Sequence, residues 1–464
     1  MYGINVGFEI GKRALLAQQY SLNLTGHNIA NVNTPGFTRQ QSVMTSTQPF
    51  NAANGNFGTG VEVVSVRQLR SIFLDKQYRQ ESQNLGRWRS LSQGWGQIET
   101  IYMEPSDTGF GAVLDKFWRS WQDLAANPDE QAARVEVREQ AGRLINSLQH
   151  YSKQLREFRT AIDDDIQKRI EDINNIGRQL ASLNEAIMTT ELTGHRANDL
   201  RDRRNYLIDE LSNYVNVQVI EQPSGSYTVM IGSMALVDRN EVSELEATVA
   251  GEGHDVIHEL RFKDSQVKPE ITRGELSGLM ELRDDVIAER LAELDEIAVS
   301  LVRSVNDIHR RGYGIDGISG RNFFDPSTTG AADIKLADNI LENTSTIAAS
   351  GNGAIGDNAN ALAIAALRSK STMRGGTTSF GDFYNSVVGI VGVRSREAQN
   401  MLENQESLVA HIEENRQALM GVSLDEEMTN MIRYQHAYEA AARVITTMDA
   451  ALDTVINNMG IVGR

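Results

Sequence analysis

The segment Gly351-Asn352-Gly353-Ala354-Ile355-Gly356 has the G-x-G-x-x-G spacing that lets backbone amides approach a dinucleotide phosphate. Such a site also needs a strand before the glycines and an acidic residue after a second strand. Ser345 to Ser350 makes a poor strand and no second one follows, so a flexible loop is expected. His254 and His258 stand four apart, with Asp255 and Glu259 nearby. On one helix face that set binds a metal. Gly251 and Gly253 point instead to a turn or β edge, and surface polar residues are expected. Asp163-Asp164-Asp165 lies in a helical pattern without the loop and glycine of a calcium hand, and reads as a solvated face. His27 is expected to pack within an N-terminal helix. No nucleophile, base and orienter come together. With no cysteine in the chain, thiol catalysis, disulfides, Fe–S clusters and cysteine zinc sites are excluded. The residues thus point away from an enzyme, with no cofactor and no metal expected.

The elements carrying these residues belong to a folded chain of 464 residues, long enough for two or three domains. Aromatics are few, which suits long helices packing through aliphatic stripes. A net charge of -17 opposes binding to nucleic acid and to anionic membranes. No stretch approaches the roughly 18 apolar residues of a membrane span. The N-terminus is not a signal peptide, because Gln18, Gln19, Asn23 and His27 fall where an apolar core is required.

Phe8, Leu15, Leu22 and Ile29 recur every seven residues in an N-terminal helix, with Gly11, Ala14, Ser21 and Thr25 as small neighbours. Asn33-Thr34-Pro35-Gly36 stops it, since Pro35 disfavours helix before it. Val61 to Val66 reads as a strand, helix resumes near Ile72, a turn is expected at Glu104 to Gly111, and Phe110 to Leu124 is a short helix. Leu144, Leu148, Tyr151, Leu155, Phe158 and Ile162, then Ile166, Ile173, Leu180, Leu183 and Ile187, mark one helix from Gln131 to Thr190. At 1.5 Å per residue it spans roughly 90 Å, which implies a rod. Asn198 to Tyr214 is helical, Val215 to Phe262 is the clearest β region, Leu279 to Ile308 is helix, Arg310 to Gly356 is loop-rich, and Val387 to Leu419 is helix again.

The last segment has the sharpest pattern. Leu424, Met431, Tyr438, Ile445, Leu452 and Met459 fall seven apart, and Met428, Gln435, Ala442, Asp449 and Ile456 fill the four-residue offset. Ser423 and Glu426 form a capping box. Two amphipathic ends cannot bury their stripes alone, so the N-terminal helix is expected to pair with the C-terminal one. Periodicity by itself does not decide between an internal core and a surface shared between subunits.

The terminal segments resemble the flagellar axial family of rod, hook and junction proteins. The resemblance is carried by Leu22 to Arg39, LNLTGHNIANVNTPGFTR, and by GVSLDEE from Gly421 with YQHAYEAAARVI from Tyr434. The interior is similar to the junction members of that family, through LAANPD from Leu124, LRDRRN from Leu200, GELSGL from Gly274 and LVRSVN from Leu301. Relatives often carry an extra β-rich outer domain after the segment resembling Asn322-Phe323-Phe324-Asp325-Pro326, and here only a short stretch remains.

The expected fold is mainly α and elongated. Residues 1-70 with 421-464 form a terminal coiled coil, 71-214 with 275-420 a helical rod, and 215-274 a small β subdomain. The resemblance implies a structural subunit at the hook–filament junction of the bacterial flagellum, secreted without a cleaved signal peptide and exported unfolded. It implies assembly at the hook tip as a ring of copies, with hook protein and a second junction protein as partners. It also implies an export chaperone at the C-terminal helix. Phe8, Leu15, Leu22, Ile29, Leu424, Met428, Met431, Tyr438, Ile445, Leu452, Ile456 and Met459 are the expected assembly interface. The alternatives are another axial protein, such as a hook or rod subunit, and a surface enzyme on a flagellar scaffold.

Overall fold

The computed structural model of the chain describes residues 2–52, 55–102, 109–192, 194–250 and 257–458. The chain opens with α1 (Tyr2–Ala30). Pro35 follows its end, and Gly36 takes φ +76° against the Tyr206 side chain, where an added Cβ would come within 2.8 Å of Tyr206 Cβ. Only glycine fits both the backbone and the contact. A hairpin comes next, β1 (Gln40–Ser46) pairing antiparallel with β4 (Val61–Gln68), and its tip is the pair β2 (Phe50–Ala52) and β3 (Gly55–Phe57).

Four helices follow: α2 (Ile72–Tyr102), α3 (Phe110–Ala126), α4 (Gln131–Glu191) and α5 (Asn198–Tyr214). The turn expected at Glu104 to Gly111 lies mostly outside the described residues. At 61 residues α4 is about 90 Å long. Its stripe of Leu144, Leu148, Leu155, Ile166, Ile173, Leu180 and Ile187 is fully buried, as the four-three spacing requires.

The β region holds β5 (Val217–Glu221), β6 (Tyr227–Ile231), β7 (Met234–Asp238) and β8 (Glu241–Val242) in one antiparallel sheet, and β9 (Leu245–Ala250) with β10 (Ile257–Phe262) as a hairpin. The chain then returns to helix in α6 (Glu275–Glu281), a π-helical turn (Leu282–Val286) and α7 (Ile287–His309). The π turn brings Arg283 inward, where it meets Asp163 at 2.6 Å and the His258 carbonyl at 2.8 Å, and so ties the β unit to α4.

Residues 310–379 contain only short helices, among them α8 (Asp338–Glu342) and α9 (Ala359–Ala365), yet this is core and not an outlying loop. Phe323, Phe324, Ile334 and Ile347 are fully buried, and Phe323 packs on Trp121 at 5.2 Å between ring centroids. Buried irregular backbone needs partners. α7 supplies them: the Asn306 amide accepts from Phe323 N and Phe324 N and donates to the Phe324 carbonyl. Among the described residues after Pro326 there are isolated β-bridges and no strand, so no β-rich unit is seen there.

Two long helices close the chain. α10 (Phe380–Met420) runs antiparallel along α2, with Ser395 bonded to Glu99 and Gln405 to Glu81. Gly421, Val422 and Ser423 break the helix, and α11 (Leu424–Asp453) begins beyond them, passing into a π-helical turn (Thr454–Asn458). The fold is mainly α with a small β part, as expected. Among the described residues no helix is long and apolar enough to cross a membrane.

Candidate assembly surface

α1 and α11 pair antiparallel. Gly7 faces Met448, Gly11 faces Ile445 and Val444, and Asn28 lies against Glu427. The helices approach closely at their far end because Gly7 and Gly11 have no side chain. A Cβ on Gly11 would meet Ile445 Cγ1 at 2.8 Å, and one on Gly7 would meet Met448 Cε at 2.9 Å.

On α1 the buried positions are Gly11, Ala17, Ser21, Thr25 and Asn28. Leu15, Leu22 and Ile29, expected as the seam, are half-buried beside them, and Phe8 is exposed. On α11, Met431, Tyr438, Ile445 and Leu452 are half-buried, but the fully buried positions are Glu427 and Ala441. The companion row against α1 is therefore Glu427, Tyr434, Ala441 and Met448, not the Met428 row. Leu424, Met428 and Ile456 point to solvent, and Ile432 continues the Leu424–Met428 row at four-residue spacing. Met459 lies outside the described residues. The pair thus buries one face on itself and leaves an apolar row outward on each helix, with Phe8, Leu16 and Tyr20 on α1.

A polar joint fixes this pair to the helical body. Arg39 donates to Glu427 at 2.8 Å and Glu426 at 2.5 Å, and its backbone N–H donates to the Met420 carbonyl at 2.9 Å. Asn28 donates to the Gln40 carbonyl and to Glu427. Thr38 donates twice to Asp202, once from N and once from Oγ1. Burial pushes Asp202 up to about 6, against those two bonds and Arg70. Arg70 spans Asp75 and Asp202, and Arg416 meets Asp209 at 2.7 Å and Asp75 at 3.1 Å while lying over the Tyr78 ring. Ser423 caps α11 through Glu426 N, but the Glu426 carboxylate goes to Arg39, so half of the expected capping box forms. These joint residues were not singled out from the sequence. The signal available was a buried-phase acid, Glu427, four residues before Met431, beside an arginine in the motif's last position.

The other candidate chemistry resolves into structure. Asp357 accepts from Gly351 N at 2.5 Å and from Asn352 N at 3.3 Å, so a carboxylate already occupies the amides a phosphate would need. The loop is held by its own bonds and is not slack. Asp163 is not on a solvated face: it is buried on α4 and bonds His258 Nδ1 at 2.5 Å as well as Arg283. Burial would raise its pKa, but the bonds from His258 and Arg283 outweigh that and hold it below the usual carboxylate range. Asp164 and Asp165 are exposed as expected. His254 and Asp255 lie outside the described residues, and among the described residues no cluster has the makings of a metal site. His27 bonds Asn31 and reaches Asp199 at 3.3 Å.

Comparison with known proteins gives a consistent picture. A family model described as the helical domain of flagellar hook-associated protein FlgK matches residues 95–324. The flagella basal body rod protein model matches residues 8–38, and the C-terminal model of the flagellar basal body rod FlgEFG proteins matches 416–459. Flagellar hook-associated protein 1 of Bacillus subtilis is 35% identical over 503 residues, spanning 99% of this chain and 99% of that protein. The protein of the same name in Escherichia coli is 25% identical, spanning 96% and 98%. The solved flagellar hook junction protein FlgK of Burkholderia pseudomallei shares the fold, with a TM-score of 0.64 at 16% identity, over 74% of this chain and 100% of that one.

Proposed function

Because this chain belongs to the family of flagellar hook-associated protein 1, a structural component of the flagellum, we propose that it builds the junction between hook and filament. The observation that carries this is the antiparallel α1–α11 pair, closed on one face, with an exposed apolar row on each helix, and tied to the helical body by the Arg39 joint. A single copy leaves Leu16, Tyr20, Leu424, Met428 and Ile432 in water. Neighbouring copies in a ring cover them, and the exposed rows are the energetic reason to assemble. Hook protein on one side and a second junction protein on the other are the partners of the ring's two faces. The chain acts by binding and bearing load, without catalysis. It works outside the cell, having left unfolded by the flagellar export route.

Before export the apolar rows of α11 need cover. A chaperone that reads the C-terminal helix at heptad spacing supplies it. Met431, Tyr438 and Ile445 are half-buried against α1 in the folded chain, so that chaperone competes with α1 for the same side of α11. A chain truncated after Gly421 should lose the chaperone in a pull-down. Undiminished capture would move the site elsewhere.

The junction assignment is tested by gold-labelled antibody to this chain on intact flagella. Label confined to a short band between hook and filament is expected. Label along the whole filament or the whole hook would overturn the assignment.

A further inference from the structure

We infer that Ile72 and Phe73 of one copy form a knob that seats in the cleft beside the Arg39 joint of the next copy. The inference rests on the junction reading and names the surface through which copies meet. Ile72 and Phe73 begin α2 and are 79% and 73% exposed. Two adjacent large apolar side chains so far in water are not expected of a helix start that any polar residue would serve.

Phe73 is five residues from Tyr78, which places it about 140° round the helix from that ring. Tyr78 lines a cleft of about 780 Å³ on the other flank, within the roughly 300–1,000 Å³ of sites that enclose a compact ligand group. Val32, Pro35, Phe37, Tyr206 and Val422 give the cleft apolar walls. Knob and cleft sit at one level of the molecule, because Arg70, two residues before the knob, also lines the cleft. Copies standing side by side at equal height therefore present a knob to a cleft. That contact is heterologous and repeats from copy to copy, where a twofold contact would stop at a pair.

Charge agrees. Lys76 is exposed one turn beyond the knob. The cleft's arginines, Arg39, Arg70 and Arg416, are each matched by carboxylates, Glu426 and Glu413 among them, which leaves Glu210 on its lining as the acid that Lys76 can meet.

The chain has no cysteine, so introduced pairs report contacts without background. Phe73→Cys, Gln417→Cys and the double variant are expressed in a strain lacking its own copy, and isolated flagella are oxidised. Gln417 is exposed on the cleft lining. The double variant should give a ladder of disulfide-linked multimers, mixed single variants should give dimers, and each single variant alone should stay monomeric. Assembled double variant without a ladder, or dimers of Phe73→Cys alone, would overturn the knob contact. Should the double variant stay out of flagella that accept the wild type, Phe73→Ser decides. It should leave the purified chain's melting temperature unchanged and lower incorporation at least tenfold, and unchanged incorporation refutes the proposal. Failure of the junction reading looks different, because then the wild-type chain itself is missing from isolated flagella, and the knob contact falls with it.

Discussion

Glu427 is buried between Arg39 and Asn28, and that placement makes it the residue on which the terminal pair depends most. Glu427→Ala leaves Arg39 facing the seam with only the exposed Glu426. Breaking a buried pair from one side costs about 3 kcal/mol. Amides in the middle of α11 should then exchange on the order of a hundredfold faster, while those of α4 keep their protection. Equal protection of α11 in both proteins would show that the joint does not hold the pair. His309 gives a pH prediction in the body of the molecule. Its Nδ1–H donates to the Arg321 carbonyl at 2.8 Å, and its Nε2 accepts the Ala348 N–H at 2.9 Å, so the ring must be neutral. Burial holds its pKa at about 4, below the ordinary 6.5. As pH falls the unfolded chain takes the proton first. This group's contribution is full above pH 6.5 and is lost as pH falls through 4, roughly 3 kcal/mol in all. Melts of wild type and His309→Gln should converge across that range, and profiles that stay parallel would contradict the assignment.

At the scale of elements, the α1–α11 seam is closest where Gly7 and Gly11 meet Met448 and Ile445. Gly11→Leu should push the two helices apart and loosen the terminal pair, read as faster proteolysis of both ends with an unchanged melting temperature for the body. Met431→Asp or Ile445→Asp places a charge in the same seam, a cost of several kcal/mol once buried, and should abolish filament attachment while the body melts as before. A large loss of body stability would mean that the seam belongs to the body's core. The long helices were legible because their stripes are long and regular: α4 begins at Gln131 and α5 spans Asn198–Tyr214, where the pattern puts them. The seam was legible only in part. α1 meets its partner at Gly7, Gly11 and Asn28 and turns its buried Ser21 to Ser42 of β1, so a search for apolar period finds Leu15, Leu22 and Ile29 beside the buried row. The joint was not legible, since it is built from ion pairs between residues far apart in the chain, such as Arg39 with Glu427 and Arg70 with Asp202. Nor was the burial of residues 310–379. There α7 side chains satisfy an irregular backbone, and no periodicity announces it.

The whole molecule is a helical body along a helix of about 90 Å with a slender two-helix end, and its stability is divided accordingly. The body has a continuous core through α3, α4 and α7, whereas the end buries one seam and exposes apolar rows. In the free chain, limited proteolysis should trim about the first 35 and the last 40 residues and leave a stable fragment. Ends as resistant as the body would contradict that division. The central claim is that this chain joins filament to hook, and electron microscopy of a strain deleted for it tests that claim most directly. Bare hooks of normal length, with filament subunits shed into the medium and filaments restored by the wild-type chain, are the expected result. Full-length filaments on the hooks of the deletion strain would contradict it.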